Sequence, residues 1–136
     1  MSDPILVIPC SGIGKAFGSI SREATYCVVE DLKTSEADAI CLSLLVMDDK
    51  DAISRVKFHR CIAVDGCPNE CSKKTLERVE AKLVGNYRVV DIFRENRKLR
   101  PKEVTFLDAD GQKLAQILAE KIASKIDELN GRGIMS

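Results

Sequence analysis

Two short runs of mostly branched apolar residues, Ile5-Leu6-Val7-Ile8 and Cys61-Ile62-Ala63-Val64, each stop at a turn sequence that leads into a helical pattern. A continuous apolar run of this length suits a strand buried on both faces, and burial on both faces belongs to parallel sheets covered by helices. The same strand-then-helix alternation recurs along the chain. It predicts an α/β three-layer sandwich, flavodoxin- or Rossmann-like, with a mostly parallel sheet of roughly four or five strands and a long C-terminal helix.

In chain order, Pro9-Cys10-Ser11-Gly12-Ile13-Gly14-Lys15 is the turn after the first strand. Ser19 and Ser21 are both candidate N-caps for a helix that places Ile20, Ala24, Cys27, Val28 and Leu32 on one face. Thr34-Ser35-Glu36 breaks that pattern. Length does not separate strand from short buried helix over Ala39 to Val46, and a strand is expected because a helix precedes it. A helix near Asp49 carries Ala52, Ile53 and Val56, and the third strand is Cys61 to Val64. The next helix has Pro68 suited to its first position, carries Leu76, Val79 and Leu83 inward and ends at Gly85-Asn86. Tyr87 to Phe93 is expected as the fourth strand. Arg94 to Glu103 is a charged connection with five basic and two acidic residues, followed by an extended piece from Val104 to Leu107. Asp108-Ala109-Asp110 can cap the last helix, whose stripe is Leu114, Ile117, Leu118, Ile122, Ile126 and Leu129. Asn130-Gly131 ends it, and one domain over residues 3–133 accounts for the whole pattern.

Composition narrows the function. Among 136 residues, Lys+Arg and Asp+Glu are balanced at 21 each, aromatics make up 4% and Trp is absent. Such a chain has neither the basic field nor the stacking platform of a general nucleic-acid binder. The longest near-apolar run, Ala39 to Met47, is nine residues and contains Ser43, too short to span a membrane. No basic segment precedes an apolar stretch at the N-terminus, so a cytoplasmic protein is expected. Six cysteines in that reducing setting point to metal binding, redox chemistry or packing ahead of structural disulfides.

In a parallel sheet of order 2-1-3-4, the first and third strands are neighbours at the topological switch point, where such sheets bind ligands. Cys10 follows the first strand, and Asp65-Gly66-Cys67-Pro68-Asn69-Glu70-Cys71 follows the third. Cys10, Cys67 and Cys71 therefore open into one crevice, with Cys71 in the first turn of a helix whose dipole favours thiolate. A tetrahedral four-sulfur site needs one more ligand. Cys27 lies on a helix's apolar face and Cys61 begins a buried strand, so both are read as core, which leaves Cys41. Asp65 is placed to accept hydrogen bonds from the cysteine loop or to support a ligand. Ser11, Gly12, Gly14 and Lys15 form a glycine-bearing turn able to meet an anion, although it fits neither the Walker nor the dinucleotide spacing. His59, the only histidine, stands among basic neighbours and reads as a surface residue.

The piece Asp65-Gly66-Cys67-Pro68 with Cys71 and Lys73-Lys74, together with Cys10-Ser11-Gly12 and Cys41-Leu42, resembles the DGC-domain family over roughly residues 5 to 93. That family is named for its Asp-Gly-Cys motif, and its four characteristic cysteines are read as zinc ligands. The resemblance implies Cys10, Cys41, Cys67 and Cys71 as the metal-binding set and assigns no reaction. The segment after Cys41 departs from the glycine-rich stretch expected there. A cytoplasmic zinc protein is thus the first expectation, with a metal ion as ligand and a protein partner left open. An iron–sulfur protein or a thiol enzyme using Cys67 and Cys71 is the second, and an anion or nucleotide binder through Gly12 to Lys15 the third.

Overall fold

A computed structural model describes residues 4–10, 16–33, 35–66, 70–98 and 109–131, with backbone alone for 16–18. Among these residues, β1 (Ile5–Pro9), β2 (Ala37–Ala39), β3 (Arg60–Asp65) and β4 (Lys82–Arg88) form one sheet. All its pairings are parallel and its order is β2-β1-β3-β4, the order that makes β1 and β3 neighbours. The unbroken apolar runs have the predicted cause. Ile5 and Val7 enter one core while Leu6 and Ile8 enter the other, so no position of the run faces water. In β3, Ile62 and Val64 serve the first core, Cys61 and Ala63 the second.

The first core is closed by α1 (Ala16–Cys27), α5 (Val89–Glu95) and α6 (Ala109–Leu129). The second lies under α2 (Leu42–Val46), α3 (Lys50–Phe58) and α4 (Cys71–Arg78). The sandwich therefore has three layers. The α3 start is as expected, with the Asp49 carboxylate accepting from Ala52 N at 2.9 Å. In α6, Leu114, Leu118, Ile122 and Ile126 are fully buried, Ile117 and Leu129 partly so, and Gly131 follows with φ +82°. Lys33 Nζ meets Asp127 at 2.6 Å, and Arg60 donates to Leu129 O at 3.2 Å, which fastens the end of α6 to the sheet. No helix among the described residues is long and apolar enough to cross a membrane. The expected extended piece Val104 to Leu107, and Asp108 after it, lie outside the described residues.

Local readings differ in four places. The first helix starts at Ala16 rather than at Ser19 or Ser21, and Ser21 is buried inside it. It continues as a π-helical turn over Val28–Leu32, whose wider winding rotates Leu32 off the Ile20, Ala24, Val28 stripe to 38% exposure. The expected strand over Ala39 to Val46 ends at Ala39. From Leu42 the chain is helical, burying Leu42 and Leu45 three residues apart and leaving Leu44 40% exposed, which a period of two would not do.

Finally, α4 begins at Cys71 after the left-handed Glu70, not at Pro68, and ends at Arg78, not at Gly85-Asn86, because Glu80 turns the chain in the left-handed region at φ +61°. The fourth strand is Lys82–Arg88, and Val89–Glu95 is a helix that buries Val89 and Ile92 at helical spacing. Gly85 thus lies inside a strand, where a Cβ would meet the Lys125 stem at 3.6 Å and Ile62 at 3.8 Å. The pairing slips there, with Cys61 opposite Leu83 and Ile62 opposite Gly85, so Val84 is the extra residue of a bulge. Leu118→Ala, at the centre of the buried α6 stripe, is expected to cost about 2–5 kcal/mol in urea unfolding without changing the helix content of the native state.

Candidate metal centre

Strand register decides which residues share the carboxyl edge of the sheet. Pro9 pairs with Val64, so Cys10 and Asp65 leave neighbouring strands side by side. Val7 pairs with Ala39 and accepts Ile40 N at 3.2 Å, so Cys41 departs from β2 at the level of Pro9. Three adjacent strand ends therefore deliver Cys10, Cys41 and Asp65 to one edge of the sheet.

Cys10 is clasped to β3 twice. Its N–H donates to Val64 O at 2.8 Å, and its Sγ accepts the Gly66 N–H at 3.0 Å. The buried Ser21 hydroxyl lies 3.5 Å from the same sulfur, on the α1 side. Sulfur acts as the acceptor in the Gly66 bond, a role open to a thiol and to a metal-bound thiolate alike.

Asp65 is fully buried, and its carboxylate reaches across the loop to the start of α4. Oδ1 accepts from Ser72 N at 2.7 Å and Oδ2 from Lys73 N at 3.2 Å. Two of the amides left open at a helix start are thereby satisfied by a side chain seven residues upstream of the first. Burial pushes the Asp65 carboxyl above its ordinary range, against the opposing pull of those two N–H groups, and nearby Glu70 adds to the rise. Ser72 Oγ, buried in the same turn, has no hydrogen-bond partner among the described residues. Glu70 precedes Cys71 in the left-handed region at φ +54°, with its Oε2 accepting Asn86 Nδ2 at 3.1 Å and 4.0 Å from Lys73 Nζ. A non-glycine residue in that region carries about 1–2 kcal/mol of strain, so the entry into α4 is held by its surroundings.

The other cysteines separate by environment. Cys41 is exposed, with its Sγ 2.9 Å from Ser43 Oγ, and the Ser43 hydroxyl and amide hold its thiol below the ordinary range. Cys71 is exposed as the first residue of α4. Cys61 is buried, donates toward Val56 O and His59 O at 3.4 Å each, and burial pushes its thiol up to about 12. Cys27 packs against the first core, and burial followed by the charges of Asp31, Glu23 and Glu120 raises its thiol. Cys27 and Cys61 are thus packing residues, as expected.

The structure brings Cys10 and Gly66 into direct contact, with Asp65 at the end of the neighbouring strand. It leaves Cys41 turned onto Ser43. Among the described residues, no group of three or more His, Cys, Asp or Glu side chains converges as a metal site. Cys67 and Pro68, and the anion-loop residues Ser11, Gly12, Gly14 and Lys15, lie outside the described residues. Sequence reasoning missed Ser21, Ser43, Glu70 and Asn86 as neighbours of the candidate ligands. Ser43, two residues from Cys41, and Glu70, next to Cys71, carried a local signal.

A family model described as the DGC domain matches residues 6–120 of the 136-residue chain. The chain belongs to the DGC domain family. The match runs from β1 well into α6, so this DGC domain takes in both faces of the sheet and extends beyond the region in which its motifs are recognisable. No curated protein and no solved structure matches the chain.

Thiol accessibility in this DGC domain is directly measurable. With a maleimide at about pH 8, below the pKa of an ordinary thiol, Cys41 is expected to label in the native protein and Cys61 only after unfolding, read by mass spectrometry. The Cys61 thiol titrates near 12 when folded against 9.0 for the ordinary group. Its contribution to stability is therefore complete below pH 9.0 and is lost as pH rises toward 12. Cys61→Ala should flatten the alkaline fall in stability measured by urea titration.

Proposed function

We propose that this DGC domain is a cytoplasmic, zinc-binding protein, one domain over residues 3–133, with Cys10, Cys67 and Cys71 as ligands and Cys41 as the fourth. The observation that carries the reading is the Gly66 N–H bond to Cys10 Sγ. It fixes one sulfur against the residue that immediately precedes Cys67, at the edge where the register also delivers Cys41. The donor chemistry fits. A buried sulfur that already accepts a backbone N–H, with a hydroxyl beside it, suits a thiolate ligand, and thiolates favour zinc or an iron–sulfur cluster over hard cations. When bound, zinc would supply a tetrahedral anchor without redox chemistry. The chain's own contribution is support. Asp65 holds the first turn of α4, and through it Cys71, against the end of β3.

The rival is a thiol enzyme or redox switch using Cys67 and Cys71. It relies on the positive end of α4 to favour a thiolate at Cys71. That end already faces the Asp65 carboxylate, which takes two of its N–H groups and offsets part of the field. The metal reading keeps its support under that arrangement, and the nucleophile reading loses some. The cargo or client of the bound metal is a separate question, and a protein partner that receives it is compatible with the exposed Cys41.

Anaerobic purification followed by elemental analysis tests the reading. Wild type is expected to carry zinc. Cys10→Ser, Cys67→Ser and Cys71→Ser are expected to lose it, while Cys27→Ser and Cys61→Ser retain it. Cys41→Ser separates a three-sulfur from a four-sulfur site. Wild type without metal, and without any gain in thermal stability on adding zinc, would sink the proposal. A brown, iron-containing sample would select the cluster.

A further inference from the structure

The sheet edge opposite the thiols has its own cleft. At the start of β3 and β4, where α3 and α6 end, an open cavity of about 570 Å³ is lined by Phe58, His59, Arg60 and Lys82 together with the Leu129–Gly131 terminus. That volume falls within the range of small-molecule sites. Three of the lining side chains bear basic nitrogen, and none of the described lining residues is a carboxylate. The chain as a whole has equal numbers of acidic and basic residues, so this local excess is not inherited from composition.

The plain account is that cations gather there to offset two helix carboxyl ends. It explains only part of the cluster. Arg60 meets the end of α6 through Leu129 O at 3.2 Å and Asn130 Oδ1 at 2.8 Å. His59 meets the end of α3, its backbone N and its Nδ1 lying 3.0 and 2.9 Å from Arg55 O. Each end thus has a partner other than Lys82, which is exposed and has no ion pair among the described residues. The His59 bond fixes the ring through Nδ1 and leaves Nε2 over. Phe58, beside them, is 70% exposed, an aromatic face held next to unspent positive charge.

We propose that this cleft binds a small phosphate ester carrying a flat ring, a nucleoside monophosphate being the simplest member of the class. The phosphate is held by Lys82 and by the guanidinium N–H groups of Arg60 not used on α6. The ring covers Phe58. A phosphate's several oxygens and charge approaching two match separate cationic donors better than a single carboxylate does. One aromatic without an extended basic stripe suits a single nucleotide and not a nucleic-acid strand. This site is independent of the thiol edge and of the Gly12 to Lys15 turn.

The test is calorimetric titration of the full chain with adenosine monophosphate, inorganic phosphate and adenosine. The monophosphate is expected to bind more tightly than either part. Lys82→Ala should weaken both phosphate-bearing ligands about tenfold or more, the effect of removing one charged hydrogen bond. Phe58→Ala should weaken the monophosphate and leave inorganic phosphate unchanged. Both side chains are exposed, so circular dichroism and urea unfolding should show an intact fold. No saturable monophosphate binding, or binding unaltered by both substitutions, would overturn the proposal. Loss of that binding in Cys67→Ser would overturn it as well, because it would place the ligand at the other edge.

Discussion

The N–H of Gly66 donated to the sulfur of Cys10 is the contact on which the arrangement of the thiol edge depends. It exists because a parallel sheet ordered β2-β1-β3-β4 sets the ends of β1 and β3 beside each other, although 54 residues of chain lie between Pro9 and Val64. The backbone of Cys10 pairs with Val64 and its side chain with Gly66, so one residue continues the ladder and closes the loop that follows it. Two apolar cores grip β1 and β3 from both faces and hold this edge in register.

Asp65 carries the constraint one step further. A fully buried carboxylate is costly to desolvate, and the rise in its pKa reflects that cost. It is retained where it binds two open amides of α4, and in doing so it sets the distance between the end of β3 and the turn that bears Cys71. Glu70, in the left-handed region, makes the tight entry into that turn. Gly66, Ser72 and Lys73 are thus each tied by a backbone N–H to the end of β1 or β3.

Much of this was legible in the sequence because it follows from periodicity. The four apolar positions Ile5 to Ile8 specify a doubly buried strand, and the i, i+4 spacing of Leu114, Leu118, Ile122 and Ile126 specifies α6. Alternation implies the parallel sheet, and the order 2-1-3-4 assumed for it, which is the order found, sets Cys10 beside Asp65. The failures lie where two physical signals compete. Gly85-Asn86 reads as a helix stop, yet Gly85 sits in a strand where Lys125 and Ile62 approach closely. Val89-Val90 looks like strand because of its branched residues, and the burial of Val89 and Ile92 against the first core overrides that preference. Ser21 beside Cys10 and Asn86 beside Glu70 were out of reach for another reason. Contacts across 11 and 16 residues follow from packing, not from pattern.

The central claim is a sulfur-lined metal site at the β1–β3 edge, and X-ray absorption at the zinc edge of the zinc-loaded protein tests it most directly. The account predicts a first shell dominated by sulfur at about 2.3 Å, with one sulfur replaced by a lighter atom or the metal lost in Cys10→Ser. A shell of nitrogen and oxygen at about 2.0 Å, unchanged in Cys10→Ser, would contradict it.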